Sequence, residues 1–353
     1  MYRKSRLDSF AITHIATLEF FACNYFLRIY RARHRPRKYN SPNMHSRYFV
    51  AAILFVLAGS INAVAAPAPD PPFLVSRVAE GVFVHFGVHE LMTDENEGAT
   101  ANVGFIIGGD SVAVIDSGGS VREGRRFLAS IRSLTSKPIR YVINTHAHPD
   151  HLFGNAAFKH EGAVIVGHIN VPRALSMRGQ SYLGAFRRSM PEVMSEVELI
   201  GPQQLIEKET RLDLGNRVLT LHAWPAAHSD TDLTILDEST NTLFAGDLVF
   251  LQHIPVVDGS LRGWLTTLKQ LTLIPARIVV PGHGPVGNWP QAIDDEQRYL
   301  ERLAQDCRAL IASGASLAQA ALTAGLTEKA RWELFEAYNA RNATAAFAEL
   351  EWE

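Results

Sequence analysis

Short apolar runs rich in β-branched or aromatic residues alternate along this chain with longer stretches of helical spacing. Each run is bounded by Gly, Asp or Ser, as strands commonly are. The pattern predicts strands in two regions, at residues 82–86, 103–107, 112–115 and 140–144, and at 218–223, 233–236, 242–245 and 278–280. The spacing of Val121, Phe127, Leu128 and Ile131 predicts a helix over residues 118–133 that ends before Pro138.

The two regions repeat the same order of elements, with strands followed by a helix. This repetition predicts an α/β (α+β) fold in which two sheets pack face to face with helices outside. Residues 288–353 also have helical spacing, with Leu300, Leu303, Leu310 and Ile311 on one face. Polar residues follow the ends of several predicted strands, so we expect a functional site along the edge that the two sheets share.

Residues 44–66 have the pattern of a secretory signal peptide. A basic start at residues 45–47 precedes eleven mostly apolar residues, 48–58, and the segment ends in small residues, 63–66. The pattern predicts export, and we interpret the destination as the periplasm. The apolar run is shorter than the ~20 residues that span a bilayer, so a permanent anchor is the weaker alternative.

Two flanking segments complete the predicted N-terminal organisation. We interpret residues 1–43 as an extension upstream of a true start at Met44; a long basic leader and a disordered tail are the alternatives. Residues 67–77 are interpreted as a linker that follows signal cleavage.

The charge distribution bears on the class of partner. Residues 1–65 carry ten Lys and Arg against Asp8 and Glu19, which leaves 24 basic and 34 acidic residues and a net charge of -10 beyond them. Binding to a nucleic-acid backbone requires Lys and Arg, so we expect a small-molecule substrate and no nucleic acid. Cys307 is the one cysteine beyond the signal segment, so no disulfide is expected there.

Candidate chemistry is concentrated in the run His146-Ala147-His148-Pro149-Asp150-His151, with His228, Asp247 and His283 farther on. Buried together, these groups would each need a partner, which a metal ion supplies; a solvated His-rich loop is the alternative. His146 and His148 are two positions apart and can address one cation, whereas Asp150 and His151 lie beyond Pro149 and would address a second. Imidazole and carboxylate ligands without cysteine suit zinc, and also iron, manganese or nickel.

These motifs resemble the metallo-β-lactamase superfamily over roughly residues 78–300. The matching segments are the His146–His151 run, Ala227-His228-Ser229-Asp230-Thr231-Asp232, Phe244-Ala245-Gly246-Asp247, Pro281-Gly282-His283-Gly284 and Val114-Ile115-Asp116-Ser117-Gly118. The resemblance implies a four-layered αββα sandwich, with residues 301–353 as C-terminal helices packed on it. It also implies two zinc ions, one held by His146, His148 and His228, the other by Asp150, His151 and His283, with Asp247 bridging. Asp116 and Asp232 would support the ligand loops.

The same resemblance implies hydrolysis by a hydroxide that bridges two metal ions, with Asp150 steering the attacking water. The expected substrate is a small ester, lactone, thioester or amide. In the general character of its sequence, and not in any catalytic residue, the chain is most similar to the exported zinc metallohydrolases linked to quinoprotein-dependent alcohol oxidation. Asp247 and Phe250 stand where many zinc β-lactamases have Cys and Lys, which weakens the hypothesis of a β-lactamase. Two further hypotheses are a mononuclear iron oxidoreductase similar to persulfide dioxygenases and a non-catalytic metal-binding accessory protein.

Three further residues are candidates for the substrate pocket. His222 precedes the His228 motif, and Phe250 and His253 follow Asp247. Residues 92–100 are interpreted as either a lid over the site or an ordinary surface loop. The remaining scattered histidines lack ligand spacing.

Overall fold

The computed structural model of this protein describes residues 70–353. The predicted extension, the predicted signal peptide and the start of the predicted linker lie outside these residues. Within residues 70–353, no helix combines the length and the apolar character needed to cross a membrane.

Thirteen strands of the described residues form two sheets. The first sheet has the order β1 to β7: β1 (Ser76–Ala79), β2 (Val82–His85), β3 (Val103–Ile107), β4 (Val112–Ile115), β5 (Ile139–Ile143), β6 (Val164–His168) and β7 (Gln204–Ile206). The second has the order β13 to β8: β8 (Glu209–Asp213), β9 (Val218–Ala223), β10 (Leu233–Asp237), β11 (Thr242–Phe250), β12 (Ile278–His283) and β13 (Gly287–Asn288). Strands β4 to β7 pair in parallel, as do β11 and β12, and the remaining pairs are antiparallel.

The helices follow the strands of both halves. The α-helices are α1 (Val121–Leu134), α2 (Pro149–Leu152), α3 (Val171–Ala174), α4 (Gln180–Ser189), α5 (Leu261–Leu271), α6 (Asp294–Ala312), α7 (Leu317–Thr323) and α8 (Phe335–Leu350). Tighter 3-10 turns span Phe153–Glu161, Val193–Glu196, Gln291–Ile293 and Leu326–Arg331, and a π-helical turn at Leu175–Gly179 joins α3 to α4.

Three apolar clusters hold these elements in four layers. Between the sheets, Ile143 and Val166 pack with Leu221 and Phe244. The outer face of the first sheet packs on α1, and that of the second sheet packs on α5, α6 and α8. Helices therefore cover both outer faces of the paired sheets, and the predicted αββα sandwich with C-terminal helices is confirmed.

The C-terminal helices belong to the same packed body as the second sheet. The predicted boundary between residues 300 and 301 falls inside α6, because Leu300 and Leu303 are buried on one face of a continuous helix. Helix α8 is joined to the segment after β11 by Asn342, which donates to Pro255 O at 2.6 Å and accepts from Val257 N at 2.9 Å. The last helix is thus fixed to a loop of the sandwich.

Several strand bounds agree with the pattern of apolar residues, notably those of β3, β4 and β9. Strand β11 runs on to Phe250, five residues beyond the predicted end, because it remains paired with β12 as far as Phe250 and His283. Five strands, β1, β6, β7, β8 and β13, lie outside the predicted set, and each is only two to five residues long.

Replacing Phe127 by Ala should lower the free energy of unfolding by about 3–5 kcal/mol, because Phe127 joins α1 to the first sheet. Its side chain is fully buried and packs edge-on against Phe105 at a ring distance of 5.7 Å. Urea denaturation followed by circular dichroism measures the change. Leu134→Ala, at the half-exposed end of the same helix, is the control and should cost only about 0.5 kcal/mol. Equal losses of stability in the two variants would contradict the conclusion that Phe127 joins α1 to the first sheet.

Candidate metal centre

All seven predicted ligand residues lie where strands end at one edge of the two sheets. The run from His146 to His151 follows β5 and enters α2, whose first residue is Pro149. His228 lies in the loop between β9 and β10, whereas Asp247 and His283 lie on β11 and β12. Because β11 and β12 are parallel, their ends bring the last two side chains together.

The side chains converge as two groups. One contains His146, His148, His228 and Asp247, and the other contains Asp150, His151 and His283; within each group, ligand-type atoms lie within 4.8 Å of one another. In the first group, His148 Nδ1 lies 3.0 Å from His146 Nε2 and 2.9 Å from His228 Nε2. Three ring nitrogens therefore face a common point.

Asp247 lies between the two groups. Its Oδ2 is 3.4 Å from His228 Nε2 and 3.5 Å from His283 Nε2, and its Oδ1 is 3.1 Å from His151 Nε2. Asp150 Oδ2 completes the second group at 3.5 Å from His283 Nε2. The carboxylate of Asp247 is placed so that it can contact cations in both groups.

Each histidine ring is oriented by a bond on the side that faces away from the cluster. The outer nitrogens contact Thr145 Oγ1 (His146, 3.1 Å), Asp258 Oδ2 (His148, 3.1 Å), Asp116 Oδ2 (His151, 2.8 Å), Val256 O (His228, 2.7 Å) and Thr100 O (His283, 2.9 Å). Such contacts fix the tautomer and ring plane of metal-ligating histidines. The inner nitrogens are thereby left to face the cluster.

The chemistry of this cluster fits divalent cations. His151 Nε2 and Asp247 Oδ1 are buried and 3.1 Å apart, but the angles between them do not form a hydrogen bond, and neither atom has another hydrogen-bond partner among residues 70–353. Burial lowers the pKa of His228 to about 3, so its ring is neutral, which is the form that binds metals. Burial also lowers the pKa of His151, but Asp247, Asp116 and Asp150 raise it more, so this end of the cluster favours positive charge. A metal cation held by these residues would supply that charge and the missing partners.

The position of Asp247 depends on close contacts made by the backbone of two glycines. A Cβ atom on Gly282 would lie 1.9 Å from Asp247 Oδ1, and one on Gly246, whose φ is +53°, would lie 2.6 Å from Thr145 Cβ. Only glycine is compatible with these contacts. The glycines of the two motifs are therefore needed for the approach of β11 to β12 and to the histidine loop.

The two predicted supporting residues lie behind the ligand loops. Asp116 accepts hydrogen bonds from Thr145 N at 2.7 Å, Thr145 Oγ1 at 2.8 Å and the His151 ring, with its own backbone in the left-handed region at φ +59°. Asp232 accepts from Ser229 N at 2.9 Å and from Ser229 Oγ at 2.5 Å, and so closes the loop that follows His228. Asp116 contacts the ligand residue His151 directly, whereas Asp232 supports His228 indirectly, through the loop that follows it.

A cavity of about 400 Å³ opens on the cluster. Asp150, His228, Asp247 and His283 reach it from the cluster. Other walls are formed by Leu91, Met92, Tyr182, Phe186, His253, Val256, Tyr338 and Arg341. The cavity thus combines the polar cluster and a few other polar side chains with apolar walls, as in sites for small molecules.

The three predicted pocket residues have different positions. His253 lines the cavity as predicted from its place after Asp247. Phe250 is fully buried and stacks on His283 with ring centroids 5.1 Å apart. It therefore supports the ring of His283 from the side that faces the core and does not line the cavity. His222 lies 3.6 Å from Glu209 and borders a different surface cavity, because strand alternation in β9 turns it away from the buried Leu221 and Ala223. The pocket role predicted for Phe250 and His222 is therefore wrong.

Sequence reasoning did not identify Asp258, Tyr338 or Arg341. Burial raises the pKa of Asp258, but the His148 ring and the guanidinium groups of Arg178 and Arg341 lower it on balance, so Asp258 is ionised. Asp258 lies 110 positions from the histidine that it contacts, and no spacing in the sequence relates them. Residues at both ends of segment 92–100, interpreted as either a lid or a surface loop, reach the cavity, and Thr100 Oγ1 donates to Asp150 Oδ2 at 3.2 Å. A closing movement stays a prediction.

Comparison with known proteins identifies the family. The profile of the metallo-beta-lactamase superfamily matches residues 97–283, more than half of the chain, and the chain therefore belongs to this superfamily. The membership predicted from the motifs is confirmed.

Individual relatives are distant. A linear primary-alkylsulfatase from Pseudomonas sp. is 24% identical over an alignment of 221 residues, and the match covers 50% of this chain and 40% of that protein. This chain therefore spans about two fifths of the length of that relative. A metallo-beta-lactamase structure from Pontibacter korlensis has a TM-score of 0.53 at 18% identity, covering 65% of this chain and 98% of that one. A stereoselective inverting sec-alkylsulfatase from Pseudomonas sp. has a TM-score of 0.61 at 16% identity, covering 77% and 49%. These structures show the shared fold.

Replacing Asp247 by Asn should lower metal content in both groups, because the residue between them loses its negative charge. Metal per chain is measured by mass spectrometry after zinc loading and desalting. Asp230→Asn is the control, since Asp230 pairs with Arg173 near the His228 loop and has no contact with the cluster. Unchanged zinc content in the Asp247 variant, or an equal loss in the control, would contradict a bridging role.

Proposed function

We propose that this protein is a metal-dependent hydrolase that holds two zinc ions and cleaves a small ester, lactone, thioester or amide. The observation that carries this proposal is the position of Asp247 between two groups of ligand-type side chains, with buried atoms that lack partners. His146, His148 and His228 would hold one cation, and Asp150, His151 and His283 the other, with Asp247 in contact with both.

Bound divalent cations supply a hydroxide nucleophile at neutral pH and polarise the group under attack. The protein's own side chains would orient the attacking water and form the walls of the cavity. Asp150 faces the cavity while Thr100 Oγ1 holds one of its oxygens, so Asp150 can also orient an attacking water. His253 has a pKa lowered to about 3 by burial and lines the cavity as a neutral ring. Phe186 and Val256 line the cavity and would shield the apolar part of a substrate from water.

A second candidate function is hydrolysis of an alkyl sulfate ester. The observation that favours it is the sequence similarity to a protein described as a linear primary-alkylsulfatase. A sulfate ester has an apolar chain and a compact polar head, and the cavity offers apolar walls beside the polar cluster. The same two-cation site would serve either reaction.

Metal analysis combined with a substrate panel tests the proposal. We expect close to two zinc ions per chain and turnover of at least one ester, lactone, thioester or amide, abolished in Asp247→Asn. Turnover restricted to alkyl sulfates would support the second candidate instead. One iron per chain would support a dioxygenase, and turnover of β-lactams alone would support a β-lactamase. Zinc-loaded protein that cleaves nothing in the panel would support a non-catalytic accessory role.

We also propose that the protein is exported to the periplasm, where it would act in connection with quinoprotein-dependent alcohol oxidation. The signal-like residues 44–66 support export, and the general character of the sequence supports the link to alcohol oxidation. Fractionation of cells and N-terminal sequencing should find the protein outside the cytoplasm with an N terminus close to residue 67. Retention in the cytoplasm with residues 44–66 intact would contradict export.

A further inference from the structure

The C-terminal helix α8 contributes two polar side chains to the cavity. Tyr338 and Arg341 are three positions apart, so they project from the same side of the helix, and both line the cavity. Tyr338 packs on His253 with ring centroids 5.3 Å apart. Burial raises the pKa of Tyr338 to about 12, so its hydroxyl remains a hydrogen-bond donor at neutral pH. This side of α8 therefore offers donors to the substrate.

A small ion cluster fixes Arg341 at the cavity wall. Arg341 Nη2 donates to Asp258 Oδ1 at 2.6 Å, while Arg178 Nη1 donates to Asp258 Oδ2, the oxygen that also contacts His148 Nε2 at 3.1 Å. Two guanidinium groups, which are always charged, thus share one carboxylate. The ion cluster of Arg178, Arg341 and Asp258 therefore has one more positive than negative charge.

Arg341 has donors that the cluster does not use. Within residues 70–353, Asp258 is the one hydrogen-bond acceptor found for its guanidinium group, which contacts it through Nη2 alone. The side chain is 51% exposed where it borders the cavity. A guanidinium group held by one edge can bind an oxyanion through its remaining N–H groups, and little further ordering is required.

We propose that Arg341 binds an anionic group of the substrate. The site would then take a small molecule with a carboxylate or comparable anionic group a few atoms away from the bond that is cleaved. The separation follows from the cluster, since Asp258 and the His148 ring lie between Arg341 and the ligand nitrogen of His148. This inference rests on the proposed hydrolase function and specifies its substrate class.

Arg178 provides a matched control. It contacts the same carboxylate as Arg341 and has nearly the same exposure, 50% against 51%. Arg178 borders a separate small cavity and does not line the one that opens on the metal cluster. Any effect transmitted through Asp258 and His148 should appear in variants of both arginines, whereas contact with the substrate should appear only for Arg341.

The test compares two esters of similar shape on the zinc-loaded full chain, the anionic mono-4-nitrophenyl glutarate and the neutral 4-nitrophenyl pentanoate. Wild-type protein should prefer the anionic ester. Arg341→Gln should lower kcat/KM for that ester by about 10- to 100-fold, mainly through KM, with little change for the neutral ester. Arg341→Lys should retain part of the preference, and Arg178→Gln should change both esters by the same factor.

Equal losses for both esters in Arg341→Gln, or no wild-type preference for the anionic ester, would overturn the inference. If neither ester is cleaved, the proposed function loses support, but the inference is still decided by calorimetry. Wild-type protein should then bind glutarate more tightly than its neutral diamide, and Arg341→Gln should lose about 10- to 100-fold in glutarate affinity. Glutarate affinity that is the same in both proteins would show that Arg341 is not an anion-binding residue.

Discussion

The structure depends on the burial of charged and polar side chains at one point between the sheet edges. Asp247, His146, His151 and His228 are almost completely buried, and isolated ionised groups in such surroundings are costly. One cation in each of the two groups would satisfy the inner atoms, while backbone carbonyls, Asp116 and Thr145 satisfy the outer ones. The same arrangement that requires a metal therefore determines where it binds and which ring nitrogens face it.

This requirement explains features of the backbone that packing alone does not. Gly246 and Gly282 allow β11 and β12 to approach so closely that no side chain fits between them and their neighbours. Asp116 adopts a positive φ, which is uncommon for a residue with a side chain, and its three hydrogen bonds compensate for that conformation. At Asp116, Gly246 and Gly282 the backbone therefore accepts an uncommon conformation or the loss of a side chain close to the ligands.

The sequence predicts the layers and the ligand loop well because both are encoded locally. Alternation of apolar residues defines β9 and its neighbours, and the run from His146 to His151 collects four ligand residues within six positions. Contacts made across the fold are not encoded in this way. Proximity to His228 along the chain suggested a pocket role for His222, but strand alternation turns that side chain outward. Asp258 and Arg341 carry no local pattern, because their roles arise only when α8 packs against the loop after β11.

The attachment of α8 through Asn342 has a consequence for the order of assembly. Val256 O, which orients His228, lies between Pro255 and Val257, the residues that Asn342 holds. A nascent chain that has emerged only as far as α7 already contains all seven ligand residues, yet it lacks the clamp on this loop. The ring of His228 is thus fully oriented only after α8 has packed on the loop that follows β11.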